Sequence, residues 1–227
     1  EENGIHAGML RAAKWIAQEA RPALEIASQE YPSYRLVITG HSLGAGVAAV
    51  LSLLLEARST DTSPDHAEEP NTDDIVQACS NFFVGMESYP RFARIDGYGF
   101  ATPGVVSASI SVSEHTKRCF TTLVNAKDVI PRLCLRSVEQ LVKELSGNSF
   151  VSLASNMLAS KFWGKQEKAS DAESSWHWPQ HLTVGRCFLM TGSKSRKSCI
   201  YRTSPHNFDK ILVHEKMMFD HLFSAYE

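Results

Sequence analysis

The strongest candidate for a catalytic residue is Ser42, which lies in the pentapeptide Gly40-His41-Ser42-Leu43-Gly44. This matches the G-x-S-x-G pattern, which carries a nucleophilic serine on a strained turn between a strand and a helix. Gly40 and Gly44 are expected where the strand and the helix almost touch, so we expect a small residue to be needed at both positions. The N–H of Leu43 follows the serine at the positive end of the helix dipole. We therefore predict Ser42 as a nucleophile and Leu43 as an oxyanion donor, against the simpler interpretation of a glycine-containing turn.

A serine hydroxyl needs a histidine to accept its proton and a carboxylate to orient that histidine. Asp128 is a candidate carboxylate, because it follows a predicted strand and sites in parallel sheets gather at the carboxyl ends of strands. An aspartate in such a turn is also typical of a turn or a helix cap. The candidate bases are four histidines in the last quarter of the chain, among which spacing does not choose: His181, His206, His214 and His221.

The elements that must position these residues alternate between helix and strand. Apolar spacing predicts helices over residues 7–29, 43–58, 137–145 and 150–162, with a final helix from about residue 208 to the C-terminus. Short apolar runs predict strands over residues 34–39, 95–100 and 119–125, and a hairpin over 184–190 and 198–202. This alternation predicts an α/β fold with a largely parallel sheet flanked by helices. Two long insertions are expected as lid-like loops over residues 59–92 and 146–181.

Composition narrows the classes of function. The chain has 227 residues, of which 43% are hydrophobic and 21% charged, as in an ordinary globular domain. A net charge of −2 speaks against nucleic-acid binding. Five cysteines without a CxxC motif favour free thiols in a reducing, intracellular compartment. No nucleotide-binding motif is present, so we expect no cofactor. The four possible zinc ligands have a spacing that matches no standard site, so we expect no metal. These four are His177, His181, Cys187 and Cys199.

Several stretches of the chain resemble the class 3 lipases, with a finer match to the diacylglycerol lipase branch. The three main motifs occur in the family's order and are Ile38-Thr39-Gly40-His41-Ser42-Leu43-Gly44-Ala45-Gly46, Asp128-Val129-Ile130-Pro131-Arg132-Leu133 and Asp220-His221-Leu222. Branch features are His6-Ala7-Gly8-Met9, Gly185-Arg186 and Asn207-Phe208-Asp209-Lys210-Ile211. The resemblance spans nearly the whole chain outside the two loops. It implies an α/β-hydrolase fold in which Ser42 is the nucleophile, Asp128 the acid and His221 the base.

The resemblance also implies a substrate and a location. A lipid ester hydrolase of this branch would release a fatty acid from diacylglycerol to give monoacylglycerol, at a membrane or lipid-droplet surface. The alternatives are a triacylglycerol lipase, a phospholipase A1-type esterase, an acyltransferase or thioesterase, and a catalytically silent lipid-binding relative. The apolar run at residues 47–55 is about half of a ~20-residue membrane span. We therefore expect an intracellular, membrane-associated protein, with any anchor outside this chain and no protein partner implied.

One feature of the family is absent. Class 3 lipases carry an Arg-Gly-Thr or similar motif on a strand before the first helix, and its loop supplies a second oxyanion N–H. This chain opens on Glu1, after that point. We expect residues 1–227 to form a single catalytic domain that is incomplete at its N-terminus. Loss of one oxyanion donor lowers rates by about 10²–10³, so we expect the chain alone to be inactive or weakly active.

Overall fold

The computed structural model describes residues 4–60, 89–146, 180–192 and 199–226. Its principal layer is a five-stranded sheet in the order β1-β2-β4-β6-β7. The strands are β1 (Leu36–His41), β2 (Ile95–Phe100), β4 (Phe120–Asn125), β6 (Arg186–Thr191) and β7 (Cys199–Thr203). The first four run parallel, and β7 pairs antiparallel with β6. The predicted α/β class and its largely parallel sheet are confirmed.

Two long helices cover the sheet near Ser42. Helix α1 (Ala7–Glu30) packs on α2 (Leu43–Thr60), which in turn packs on β1 and β2. Helix α2 is rich in Ala, Val and Leu, and all of its residues from Ala45 to Leu55 are buried. An apolar surface on so many sides predicts a helix enclosed between two layers. Pro22 lies inside α1, which continues through it as one helix.

Short elements connect the main layers. Strand β3 (Val106–Ser107) pairs antiparallel with β5 (His181–Leu182), and Ile5 forms a bridge to Val106. Helices α3 (Ala108–Ser111) and α4 (Glu114–Cys119) precede β4, and α5 (Leu135–Ser146) follows the turn that carries Asp128. The sequence did not predict β3, β5, α3 or α4, since elements of two to six residues carry too little periodicity.

The last part of the chain differs most from the prediction. Instead of a helix from residue 208 onward, residues 209–222 form bends and turns between two single 3₁₀ turns, Pro205–Phe208 and Phe223–Ala225. Five apolar side chains of this segment remain exposed: Leu212, Val213, Met218, Phe219 and Leu222. The helical prediction was wrong because the apolar residues of this segment do not form one stripe that packs on the sheet.

The two predicted insertions lie mostly outside the described residues. Helix α2 ends at Thr60 and α5 at Ser146, so regular structure reaches the first positions of both insertions. Tyr89, near the end of the first predicted insertion, has a buried side chain, and desolvation raises its pKa to about 12. The predicted helix at residues 150–162 falls outside the described ranges. Among the helices that are described, none combines the length and apolar character needed to cross a membrane.

Candidate active site

Three neighbouring parallel strands end in the same way. Ser42 after β1, Ala101 after β2 and Ala126 after β4 have positive φ angles of 57°, 55° and 41°. Each donates its N–H to a carbonyl oxygen of the next strand in the sheet at 2.8–2.9 Å: Ser42 to Phe100, Ala101 to Leu123 and Ala126 to Met190. A left-handed conformation is uncommon for residues other than glycine, and such strain gathers at functional sites. The carboxyl edge of the sheet is therefore the candidate location of the active site.

The turn at Ser42 has the geometry of a nucleophile elbow. Strand β1 ends at His41, α2 begins at Leu43, and the carbonyl oxygen of Ser42 accepts hydrogen bonds from the N–H groups of Ala45 and Gly46 at 2.9 and 3.2 Å. The first N–H groups of a helix have no partner within the helix, which leaves the Leu43 N–H oriented for an anion. The side chain of Leu43 is 66% exposed at the mouth of this turn.

The two glycines of the motif have different environments. A Cβ atom on Gly40 would lie 2.4 Å from the carbonyl oxygen of Gly44, a distance that real structures do not show. A Cβ atom on Gly44 would meet nothing within 4 Å. The expected close approach of strand and helix is confirmed at Gly40. The expected need for a small residue at Gly44 is wrong, because only its main chain takes part in the crowding.

Asp128 is fully buried in a tight turn that follows β4. Its N–H donates to the carbonyl oxygen of Asn125 at 2.9 Å, and its Oδ1 accepts the N–H of Ile130 at 2.9 Å. Its Oδ2 lies 3.2 Å from Nδ1 of His221 and accepts the hydroxyl of Tyr226 at 2.6 Å. A buried carboxylate requires such partners, and here they reach both of its oxygens.

His221 lies in a turn rather than in a helix, and its neighbours hold it in place. The side-chain amide of Asn125 donates to the carbonyl oxygen of Asp220 at 3.1 Å, and the N–H of Lys127 donates to Asp220 Oδ2 at 3.0 Å. The N–H of Val129 donates to the carbonyl oxygen of Met217 at 3.3 Å. The residues around Asp128 therefore hold both ends of the segment that leads to His221.

The residue before the nucleophile also contacts His221. The rings of His41 and His221 stack with centroids 4.9 Å apart at 21°, and His41 Nε2 lies 3.1 Å from the carbonyl oxygen of His221. The structure thus brings Asp128 and His221 into direct contact and places His221 against the residue that adjoins Ser42.

The other three histidines lie elsewhere. His181 packs edge-on against His6 with centroids 5.8 Å apart, and desolvation lowers its pKa to about 4. His206 is exposed in a 3₁₀ turn, and His214 is exposed with its Nδ1 accepting the N–H of Lys216 at 3.1 Å. Of the four candidates left open by spacing, His221 is the one whose ring contacts Asp128 in the described structure.

Tyr226 was not predicted as a site residue. Desolvation raises the pKa of its hydroxyl, and the charge of Asp128 raises this pKa further, so the phenol stays protonated. Its O–H donates a hydrogen bond to the carboxylate. Its oxygen also accepts the N–H of Asn125 at 3.1 Å. No sequence pattern links Tyr226 to Asp128, which are 98 residues apart, so only the fold reveals the contact.

A buried arginine lies behind the Asp128 turn. Arg132 Nη1 donates to the carbonyl oxygen of Asn207 at 2.9 Å, and the guanidinium lies 5.0 Å from the ring centroid of Phe208. Burial lowers the pKa of Arg132, whereas the negative charges of Asp128 and Asp209 act in the opposite direction. Arg132 therefore attaches the Asp128 turn to the segment that leads to His221.

Metal ligation has no support in the part of the chain that is described. No group of three or more His, Cys, Asp or Glu side chains there could hold a metal ion. Cys119, Cys134 and Cys187 are buried free thiols, and Cys199 is exposed. Burial raises the pKa of Cys187 to about 12, which makes its thiol a poor ligand and a poor nucleophile.

Comparison with known proteins identifies the family of the chain. The family described as Lipase (class 3) matches residues 1–138, and the chain belongs to that family. Family membership and the α/β-hydrolase-type sheet support a lipid ester hydrolase as the class of protein.

Individual relatives match over parts of their length. Diacylglycerol lipase-beta of Mus musculus is 29% identical over 143 residues, which are 62% of this chain and 16% of the relative. Diacylglycerol lipase-alpha of Homo sapiens is 25% identical over 148 residues, which are 62% of this chain and 11% of the relative. The chain thus spans less than a fifth of the length of these relatives. A solved triacylglycerol lipase, described as having a serine protease triad, matches with a TM-score of 0.48 at 15% identity, over 96% of this chain and 57% of that one.

Proposed function

We propose that this chain is the catalytic part of a serine-dependent lipid ester hydrolase with Ser42, Asp128 and His221 as its triad. The observation that carries the proposal is the contact of 3.2 Å between a fully buried Asp128 and His221, beside a serine at φ 57° on a strand–helix turn. A buried carboxylate that holds an imidazole next to a strained serine is the arrangement that nucleophilic acyl transfer requires.

The hydrogen bonds assign the tautomer of the base. An ionised carboxylate only accepts, so Nδ1 of His221 carries the proton in its contact with Asp128. Nε2 then keeps its lone pair and accepts the proton of Ser42. The side chain of His221 is 16% exposed, so the ring is largely sheltered from water.

Acyl transfer then runs in two halves. His221 takes the proton of Ser42 as Oγ attacks the ester carbonyl, and the N–H of Leu43 donates to the oxyanion that forms. The tetrahedral intermediate breaks its bond to the alcohol oxygen, which leaves with the proton from His221. Water next attacks the acyl-serine and gives its proton to His221. Ser42 regains that proton as the fatty acid leaves.

Asp128 stabilises the imidazolium that forms in both halves of the reaction. Its carboxylate accepts three hydrogen bonds in the resting site, from Ile130, Tyr226 and His221. The role of Tyr226 and Ile130 is to fix the carboxylate so that Oδ2 faces Nδ1. Charge-assisted hydrogen bonds of this kind contribute about 1.5–3 kcal/mol each.

The proposed substrate is diacylglycerol, cleaved to monoacylglycerol and a fatty acid. The support is the similarity to diacylglycerol lipases at 25–29% identity together with the surface near the site. Leu43, Phe219 and Leu222 are 52–68% exposed and adjoin the nucleophile and the base in sequence. Exposed apolar side chains next to a polar site suit a lipid better than a soluble ester, and they support action at a membrane or lipid-droplet surface inside the cell. The Gly40, His41 and Gly44 main chain forms the elbow in this proposal.

The test uses the full-length protein and its Ser42→Ala variant. We expect a fluorophosphonate probe to label the wild type and not the variant, and vesicles with radiolabelled diacylglycerol to yield monoacylglycerol and fatty acid. Equal labelling of the variant would refute Ser42 as the nucleophile. Absence of labelling in both proteins would identify a silent lipid-binding relative, and faster release from triacylglycerol or phospholipid would replace the substrate but keep the triad. Acyl transfer to another acceptor, or cleavage of a thioester, would identify the acyltransferase or thioesterase alternatives.

A further inference from the structure

His41 makes two separate contacts with the proposed base. Its ring stacks on the ring of His221 with centroids 4.9 Å apart and an interplanar angle of 21°. Its Nε2 lies 3.1 Å from the carbonyl oxygen of His221. A carbonyl oxygen only accepts, so His41 donates through a protonated Nε2. The side chain of His41 therefore contacts both the ring and the main chain of His221.

We propose that His41 is a positioning residue for His221, a role that rests on the proposed triad. The stacked ring of His41 sets the plane of the His221 imidazole, and the N–H of His41 fixes the carbonyl group of His221. Because His41 immediately precedes Ser42, any movement of the nucleophile elbow carries this support with it. The distance between nucleophile and base is thus controlled by adjacent residues of one turn.

The base needs such support because its own segment provides little. Residues 209–222 contain no helix and no strand, and His221 lies in a turn. Irregular segments are the more mobile parts of a fold. Acyl transfer requires the reacting atoms to be held closely, and a misplacement of about 1 Å lowers rates by about 10². A contact from a strand end at the centre of the site offsets that weakness.

His41 also contacts the other partner of Asp128. The ring of Tyr226 meets the ring of His41 edge-on, with centroids 5.8 Å apart at 74°, and meets Phe100 in the same way at 5.8 Å. Tyr226 in turn donates to Asp128. His41 therefore packs against both side chains that share Oδ2 of Asp128, so its loss affects the whole Asp128–His221 pair.

Three substitutions separate the two contacts. His41→Ala removes both, His41→Phe keeps a ring for stacking, and His41→Gln keeps an N–H donor for the carbonyl of His221. We expect kcat for a short-chain ester to fall by about 10- to 100-fold in His41→Ala, with KM within about twofold of the wild type. His41→Phe and His41→Gln are each expected to recover part of that loss. The matched control is His206→Ala, at an exposed histidine of the Pro205–Phe208 turn, with wild-type kcat expected.

The outcomes distinguish positioning from simple packing. A ring that only filled space would lower the melting temperature of His41→Ala and leave kcat of the folded protein unchanged, which overturns the proposal. Equal loss of kcat in all three variants also overturns it, because neither retained contact would then matter. If His41→Ala fails to fold, the comparison of His41→Phe and His41→Gln with the wild type decides the question. Ser42→Ala measured alongside keeps the two proposals apart, since activity in that variant refutes the triad itself.

Discussion

Two regions of the molecule supply the proposed triad, and they are built in opposite ways. The nucleophile side is regular and local: a strand, one strained residue and a long helix, all within residues 36–60. The base side is irregular and distant: His221 reaches Asp128 across 93 residues, Asp220 meets Asn125 across 95, and His221 meets His41 across 180. The two catalytic groups therefore depend on different kinds of interaction.

The contrast teaches where each part of the site is vulnerable. On the nucleophile side, the positions of Ser42 and Leu43 follow from the packing of α2 on β1, so damage there affects the folded core. On the base side, a set of individual hydrogen bonds holds a segment with exposed apolar residues. We therefore expect variants near Ser42 to lose stability and activity together, and variants near His221 to lose activity alone.

The largest expected effect is that of Asp128→Asn. Asparagine has one accepting oxygen where the carboxylate has two, so it cannot accept from Ile130 on one side and from His221 and Tyr226 on the other. When its NH₂ group faces Nδ1 of His221, the imidazole takes the wrong tautomer. We expect kcat for a short-chain ester to fall by about 10⁴-fold with little change in KM. Steady-state kinetics of the full-length protein would test this, with Asp209→Asn as the control at a carboxylate that lies outside the proposed triad. A loss of less than tenfold would show that Asp128 is not the orienting acid.

Gly40→Ala probes the opposite side. Its new Cβ would lie 2.4 Å from the main chain of Gly44, so α2 must move away from β1. Overpacking of this kind lowers the free energy of unfolding by roughly 1–3 kcal/mol. A displaced elbow is expected to lower kcat by about 100-fold as well. Gly44→Ala is the matched control for stability, since its Cβ meets nothing within 4 Å. Equal melting temperatures for the two variants would contradict the structure of the turn.

Tyr226→Phe removes the hydrogen bond to Asp128 and the acceptor of the Asn125 N–H, and it keeps the ring that packs on His41. We expect kcat to fall by about tenfold, because a hydrogen bond to a charged group contributes about 1.5–3 kcal/mol. The pKa of Tyr226 is raised by desolvation and by Asp128, so its proton remains bound beyond the ordinary tyrosine value of about 10. The ratio of wild-type to variant rates should therefore stay constant from neutral pH to about that value. A ratio that narrows as pH rises toward 10 would contradict the raised pKa.

The smallest expected effect is that of Asp220→Ala. Oδ2 of Asp220 accepts the N–H of Lys127 at 3.0 Å near the surface, a bond that contributes about 1 kcal/mol. We expect a fall in kcat of about threefold to fivefold, measured on the same ester. Asp220→Asn retains an accepting oxygen and should restore most of the rate. If both variants lose the same activity, the charge rather than the hydrogen bond holds the segment.

What the sequence could predict follows the same division. The strands at 95–100 and near 119–125, the hairpin of β6 and β7 and the helix after Ser42 were all predictable, because apolar runs and glycine turns encode them locally. The conformation of residues 209–222 was not predictable, because the segment takes its shape from partners far along the chain, and the helix predicted there was wrong. His221 was chosen by resemblance rather than by spacing, and Tyr226 was missed. Both residues lie in the irregular C-terminal part of the chain, where no local sequence pattern predicts their contacts with Asp128.

The turn-built segment that carries His221 has a thermodynamic consequence of its own. A segment of bends joined to the sheet by a few hydrogen bonds can open without unfolding the core, at a free energy set by those bonds alone. The fraction of molecules in which the base faces the serine is then an equilibrium separate from global stability. Anything that binds the open or the closed arrangement preferentially would shift that fraction, and with it the rate of the reaction. The exposed Phe219 and Leu222 lie on this segment, so a lipid surface that bound them would change the population of the competent site.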